Sequence, residues 1–196
     1  MHKFIPGSFL ILIVIFISCQ SSPLAKKKLL QKEEKVDVFP VTDFLLGQIN
    51  EISKMPVTLL KVIKHNSFQD SQWVSRDSIG SLAIPFLSPV IDSIHFQENY
   101  SAHSFLDQTV DAFTFTYDAL KVNSDSFPLT HVDVYVDPDS RKVKRIYLVK
   151  EKNEDGNNKM QQLTWNTEDG FIIRTILQGK SYSISKIIEE RVTWKF

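Results

Sequence analysis

Between His131 and Lys150 hydrophobic and polar residues alternate with unusual regularity. Val132, Val134 and Val136 interleave with Asp133, Tyr135 and Asp137, the period-2 pattern of a strand with one buried face. Pro138, Asp139 and Ser140 then turn the chain, and Val143 to Lys150 is a second β-rich run. Setting Asp137 opposite Val143 pairs Val134 with Ile146 and Val132 with Leu148 on the core side. The same setting pairs Tyr135 with Arg145 and Asp133 with Tyr147 on the other side, a polar face. A slip of one residue would put Val134 against Arg145, so the pattern pins the register. The other strands are expected to assemble around this hairpin.

Upstream, Phe39-Pro-Val-Thr-Asp opens the folded body. Thr42 or Asp43 suits a helix N-cap, Leu45, Leu46, Ile49 and Ile52 fall on one helical face, and Pro56 ends the helix. Thr58 to Lys64 and Gln72 to Ser75 read as two short strands joined by the polar loop Asn66 to Ser71. Ser75 or Asp77 can cap a second helix with Ile79, Leu82, Ala83 and Phe86 on its buried stripe, kinked or ended early by Pro85. Ser93 to Gln108 is expected to be a short helix or ordered loop anchored by Phe96, Tyr100, Phe105 and Leu106. Phe113, Phe115 and Tyr117 then alternate with Ala112, Thr114 and Thr116 as a strand. Met160 to Asn166 and Phe171 to Gln178 form a hairpin around Thr167-Glu-Asp-Gly, where Gly170 can take a positive φ. Ser181 to Phe196 closes the chain, with Val192, Trp194 and Phe196 on one face and Arg191, Thr193 and Lys195 on the other. The fold class is α+β: a mainly antiparallel sheet, about six consecutive strands in the C-terminal half, with N-terminal helices packed on one face.

The first residues follow another pattern. His2 and Lys3 precede an apolar run from Phe4 to Ile17, and small Ser18 precedes Cys19. A bilayer-spanning helix needs about 20 apolar residues, so this shorter run reads as an export signal. Phe16-Ile17-Ser18-Cys19 resembles the lipobox of bacterial lipoprotein precursors, although Phe16 stands where that family usually carries leucine or another aliphatic residue. The resemblance implies a diacylated Cys19, cleavage before it and acylation of the new amino terminus. The alternatives are an ordinary secretory signal with an unrelated cysteine, or an uncleaved anchor. Cys19 is the single cysteine of the 196 residues and falls where acylation requires it. Two or three acyl chains together hold a protein stably on a bilayer. Gln20, where sorting in many Gram-negative lipoproteins would read an aspartate, implies delivery to the outer membrane. The expected organisation is a signal peptide over 1–18, the lipidated cysteine and a charged tether over 19–36, and one α+β domain over 37–196. Lys26, Lys27 and Lys28 either lie against anionic headgroups or belong to a solvated spacer.

Composition narrows the function classes. Basic and acidic side chains number 23 each, so no net field favours nucleic acid. Without residues 1–18, and hence without Lys3, the balance is −1. Hydrophobic residues make up 42% and aromatics 11%, enough for a core with no disulfide to support it. The glycines occur singly, so no phosphate-cradling loop is expected, and no nucleophile elbow or metal-spaced histidine pair occurs. His65, His95, His103 and His131 are dispersed. His103 and Asp107 would share a helical face, and an enzyme would need them to converge with Asp111 in a pocket. Glu151 to Asn158 resembles half a calcium loop, but Gln162 stands where the bidentate glutamate belongs, so it reads as a polar turn. No cofactor and no metal are expected.

Two surfaces remain as candidates. The face of Asp133, Tyr135, Arg145 and Tyr147 has the tyrosine and arginine content favoured at protein interfaces, or is a solvated sheet face. Phe113, Phe115, Tyr117, Trp165 and Trp194 are core, or line an apolar cleft for a lipid-like ligand if the sheet curls. The phrase Val-Tyr-Val-Asp-Pro-Asp-Ser-Arg-Lys-Val resembles a turn common in small secreted β modules, PepSY-type inhibitor domains among them, with Arg141 where those usually have glycine. The body is similar to uncharacterised Gram-negative envelope lipoproteins. Neither likeness implies an activity. The expectation is a non-enzymatic, lipid-anchored outer-membrane protein that binds or scaffolds an envelope partner, the alternative being a carrier or sensor of an apolar ligand.

Overall fold

Alternation along most of the chain yields one nine-stranded antiparallel sheet among the described residues, which in the computed structural model are 38–91, 96, 99–120, 128–154, 157–179 and 184–195. The chain enters through helix α1 (Val41–Lys54), strands β1 (Leu59–His65) and β2 (Phe68–Val74), and a 3-10 turn at Arg76–Ser78. The one-turn helix α2 (Ile79–Leu82) and a second 3-10 turn at Ile84–Phe86 follow. Then come β3 (Tyr100–Asp107), β4 (Ala112–Ala119), β5 (Leu129–Val136), β6 (Val143–Glu154), β7 (Asn157–Asn166), β8 (Gly170–Gln178) and β9 (Ile184–Thr193). The spatial order is β2-β1-β9-β8-β7-β6-β5-β4-β3. Strands β3 to β9 are thus a meander, with the early hairpin added beyond β9. The α+β class with the sheet predominant holds, and no described helix is long and apolar enough to cross a membrane.

The expected pairs of the central hairpin are present: Val134 opposes Ile146, Val132 opposes Leu148, Tyr135 opposes Arg145 and Asp133 opposes Tyr147. Val136, not Asp137, faces Val143, because an irregularity after Tyr135 shifts the register by one. Asp137 instead organises the turn. Its carboxylate accepts the N–H of Ser140 at 2.7 Å and of Asp139 at 3.2 Å, and the Ser140 hydroxyl at 2.8 Å. The Ser140 N–H first of all holds that carboxyl below its ordinary range. Arg141 follows at φ 58°, a left-handed conformation usually left to glycine.

Other expectations need correction. The segment expected as helix or loop contains a strand: Tyr100 to Asp107 pairs along β4, from Ala119 to Ala112. Seven strands therefore follow residue 99 where about six were expected. Phe105 and Leu106, adjacent in sequence, lie on opposite faces of an edge strand, each about half exposed. The β1–β2 turn consists of Asn66 and Ser67 alone, with Asn66 at φ 53°. Asparagine tolerates that conformation, so the polar residues from Gln69 to Ser71 belong to an exposed edge strand rather than a loop. Thr42 does not cap α1. It is buried, and its hydroxyl accepts the N–H of Ile91 at 2.8 Å. Ser75 does cap, accepting the Asp77 N–H.

Buried residues from the helical segments share one hydrophobic cluster with alternate residues of the strands. Phe86 is fully buried with its ring 5.4 Å from that of Trp165 and 5.2 Å from that of Phe171. Lys150, on the same side of β6 as Ile146 and Leu148, donates from Nζ to the carbonyls of Pro85 and Ser88. Burial pushes its ammonium down to about 8, the sign expected when a cation leaves water.

Candidate functional site

The side of the sheet opposite the core positions of β4, β5 and β6 carries a polar array. Asp118 faces His131, Thr116 faces Asp133 and Asp133 faces Tyr147, while Thr114 faces Tyr135 and Tyr135 faces Arg145. An irregularity between Leu129 and His131 lets Leu129 point into the core while His131, two residues on, joins the array.

His131 is held at both ring nitrogens. Nδ1 lies 2.7 Å from Asp118 Oδ1 and Nε2 lies 2.9 Å from Asp133 Oδ2. A neutral imidazole has one N–H, so it could satisfy only one carboxylate and would set a lone pair against the other. The geometry requires the imidazolium. Its pKa is accordingly pushed up to about 9, chiefly by the hydrogen bond to Asp133, with burial opposing and Asp118 adding. Asp133 is the hub. Burial pushes its carboxyl up, but hydrogen bonds from His131 and from Thr116 Oγ1, the latter at 2.5 Å, outweigh this and hold it down. The Tyr135 hydroxyl also donates to Asp133, at 3.1 Å. The guanidinium of Arg145 stands 4.0 Å above the Tyr135 ring, a cation–π contact. The Tyr147 ring meets the His131 ring edge-on, centroids 6.1 Å apart. Burial first, then the Asp133 charge, raises the pKa of both tyrosines. Two cations and two anions balance within the array. Beside it, a cleft of 240 Å³ is lined by Val110, Ala112, Tyr135, Lys144, Arg145 and Asn166 among others.

Both ring nitrogens of His131 donate to carboxylates, so the imidazolium would have to lose a proton before it could accept one. Among the described residues no group of three or more His, Cys, Asp or Glu side chains is placed to hold a metal ion.

A pH dependence of stability follows, with a definite sign. The folded pKa of His131, about 9, lies above the ordinary 6.5. Its contribution is therefore complete below pH 6.5 and is lost as pH rises to 9. The side chain is 28% exposed, so solvent screening reduces the contribution to about 1–2 kcal/mol. The urea midpoint should fall between pH 6.5 and 9 more steeply in the wild type than in His131→Asn. Lys150 titrates in both proteins and cancels in the comparison. Parallel curves would contradict the assignment.

Sequence reading found Asp133, Tyr135, Arg145 and Tyr147, and the structure brings these four together. It missed His131, Asp118 and Thr116. His131 stands two residues before Asp133, and that spacing was the available signal. The five aromatics do not converge on a cleft. Trp165 and Trp194 are buried with ring centroids 5.5 Å apart, and Phe171 stacks on Trp165 at 5.3 Å. Tyr117 is buried elsewhere, 5.4 Å from the Phe96 ring, its hydroxyl accepting the Phe39 N–H at 3.0 Å. Phe115 packs at the core margin and Phe113 is 45% exposed. His103 and Asp107 stand along an edge strand, not a helix, which separates them by about 13 Å. Asp107 accepts the Thr109 N–H, and Asp111 occupies the turn before β4 at φ 48°. Glu154 ends β6 and Asn157 begins β7; residues 155 and 156, like Cys19, the tether, His95 and Phe196, lie outside the described residues. Comparison with protein-family models, curated protein sequences and solved structures finds no match.

Proposed function

We propose that the chain is a lipid-anchored protein of the bacterial outer membrane that binds a partner protein through the outward face of β4–β6. The anchor is Cys19 in Phe16-Ile17-Ser18-Cys19, followed by Gln20. The observation that carries the binding role is the cross-strand array itself. Arg145 lies on Tyr135, and Tyr135, Thr116 and His131 all reach Asp133. Side chains fixed before contact lose little entropy on binding, and tyrosine and arginine supply much of the energy at interfaces. In this reading the helices cover the other side of the sheet and leave this face to the partner.

The test is a crosslinking pull-down from native membranes with the full chain. Loss of a residue that dominates binding costs at least about 2 kcal/mol, roughly thirtyfold in affinity. Tyr135→Ala with Arg145→Ala should therefore remove the partner while the circular dichroism and urea midpoint show an intact fold. Unchanged co-purification would refute this surface. Labelled fatty acid should enter the wild type and not Cys19→Ser; an unlabelled wild-type product would refute the anchor.

A further inference from the structure

A second concavity lies between α1 and the turns that follow β5 and β7. Its volume is 760 Å³, within the usual range for small-molecule sites. Its lining divides by chemistry. Phe39 and Phe44, with rings 5.6 Å apart, join Ile52, Met55 and Val143 as an apolar wall, and Arg141 and Lys142 stand on the rim. Three carboxylates also line it, and two of them, Asp137 and Glu168, face a lysine. Glu51 accepts from Gln48 at 3.1 Å, Asp137 is taken up by the turn and by Lys144 at 3.6 Å, and Glu168 faces Lys195 at 3.5 Å. No carboxylate among the described residues pairs with Arg141 or Lys142. The groove therefore offers two uncommitted cations beside an apolar wall. Arg141 is also held at φ 58°, where glycine would be unstrained, so its side chain is present despite the backbone conformation.

We propose that this groove binds a single-chain anionic amphiphile, its acyl chain along Phe39, Phe44 and Met55 and its carboxylate head on Arg141 and Lys142. Apolar burial supplies the affinity and the rim selects the charged head, since an uncharged head gains nothing from the guanidinium. The site is separate from the face of Tyr135 and Asp133 and does not depend on its role.

The experiment uses the full chain in discs of uncharged phosphatidylcholine, with a diazirine-bearing dodecanoic acid and the corresponding alcohol as probes. After photolysis, labelled peptides are mapped by mass spectrometry. The acid should label residues 39–55 at least tenfold more than the alcohol does. Arg141→Gly should lose at least four-fifths of that preference while melting at a higher temperature than the wild type, because glycine takes the turn conformation freely. A loss of labelling there cannot be ascribed to misfolding. Met55→Trp, which fills the wall from a half-exposed position, should reduce labelling by both probes. Equal labelling by acid and alcohol, labelling unchanged in Arg141→Gly, or label scattered outside residues 39–55 would overturn the proposal.

Discussion

Gly170→Ala is expected to destabilise the protein by about 4 kcal/mol, at the extreme end of single substitutions. Gly170 has φ 157°, and a Cβ there would lie 2.1 Å from the Val192 carbonyl oxygen and 2.9 Å from the Thr193 Cα. Those are backbone atoms of β9 and cannot rotate away as a side chain could. Gly170 pairs with Thr193, and the next N–H, that of Trp194, donates to Asp169 at 3.0 Å. To admit the methyl, β9 must withdraw from β8, giving up those hydrogen bonds and lifting Val192 and Trp194 out of the core. With an m-value of about 2 kcal/mol/M, the urea midpoint should drop by about 2 M. Gly47→Ala is the control of opposite sign. No atom outside α1 lies within 4 Å of its added Cβ, and alanine gains up to about 1 kcal/mol over glycine in a helix interior. A drop below about 0.5 M for Gly170→Ala would mean that β9 slides without cost, against the tight register observed.

The contrast between these glycines shows what the sequence can reveal. Gly170 follows Thr-Glu-Asp between two alternating runs, so its need for a special backbone was readable locally. The register of β5 on β6 was readable for the same reason: any slip puts a valine against an arginine. The turn after β5 was less so, since the one-residue irregularity depends on how Asp137 gathers the N–H groups of Asp139 and Ser140. β3 was missed because Phe105-Leu106 fits an apolar helix stripe as well as a strand, and only pairing with β4 decides. The array around Asp133 was half legible. Residues on one hairpin declared themselves by alternation, whereas Asp118 and Thr116 come from β4, across a connection whose course no local pattern encodes. The aromatics posed the reverse problem. Their strand positions were plain, but whether a ring lines a cleft or fills it depends on Phe86, which arrives from a distant turn.

Removing that ring should be nearly as damaging as the Gly170 substitution. Phe86 is fully buried with its ring edge-on against the stacked pair Trp165 and Phe171, whose strands are held by their ladders and cannot close over a void. Phe86→Ala should cost about 4 kcal/mol, within the range for deleting a buried aromatic and a large share of the 5–15 kcal/mol typical of a domain. Phe113→Ala, 45% exposed at the start of β4, should cost about 1 kcal/mol, since nearly half of its surface is already in water. The pair thus separates core aromatics from marginal ones. Lys150 supplies a second readout, because its Nζ donates to Pro85 and Ser88 on either side of Phe86. Its folded pKa, about 8, lies below the ordinary 10.5, so wild-type stability gains from this group as pH rises from 8 to 10.5. Water entering the space left by Phe86 would rehydrate the ammonium, move its pKa back toward 10.5 and flatten that rise. Titration of the Lys150 side chain by NMR in Phe86→Ala would show the shift directly. Equal destabilisation by the two substitutions, or a Lys150 pKa unchanged in Phe86→Ala, would mean that the turn at Ile84–Phe86 does not seal the core.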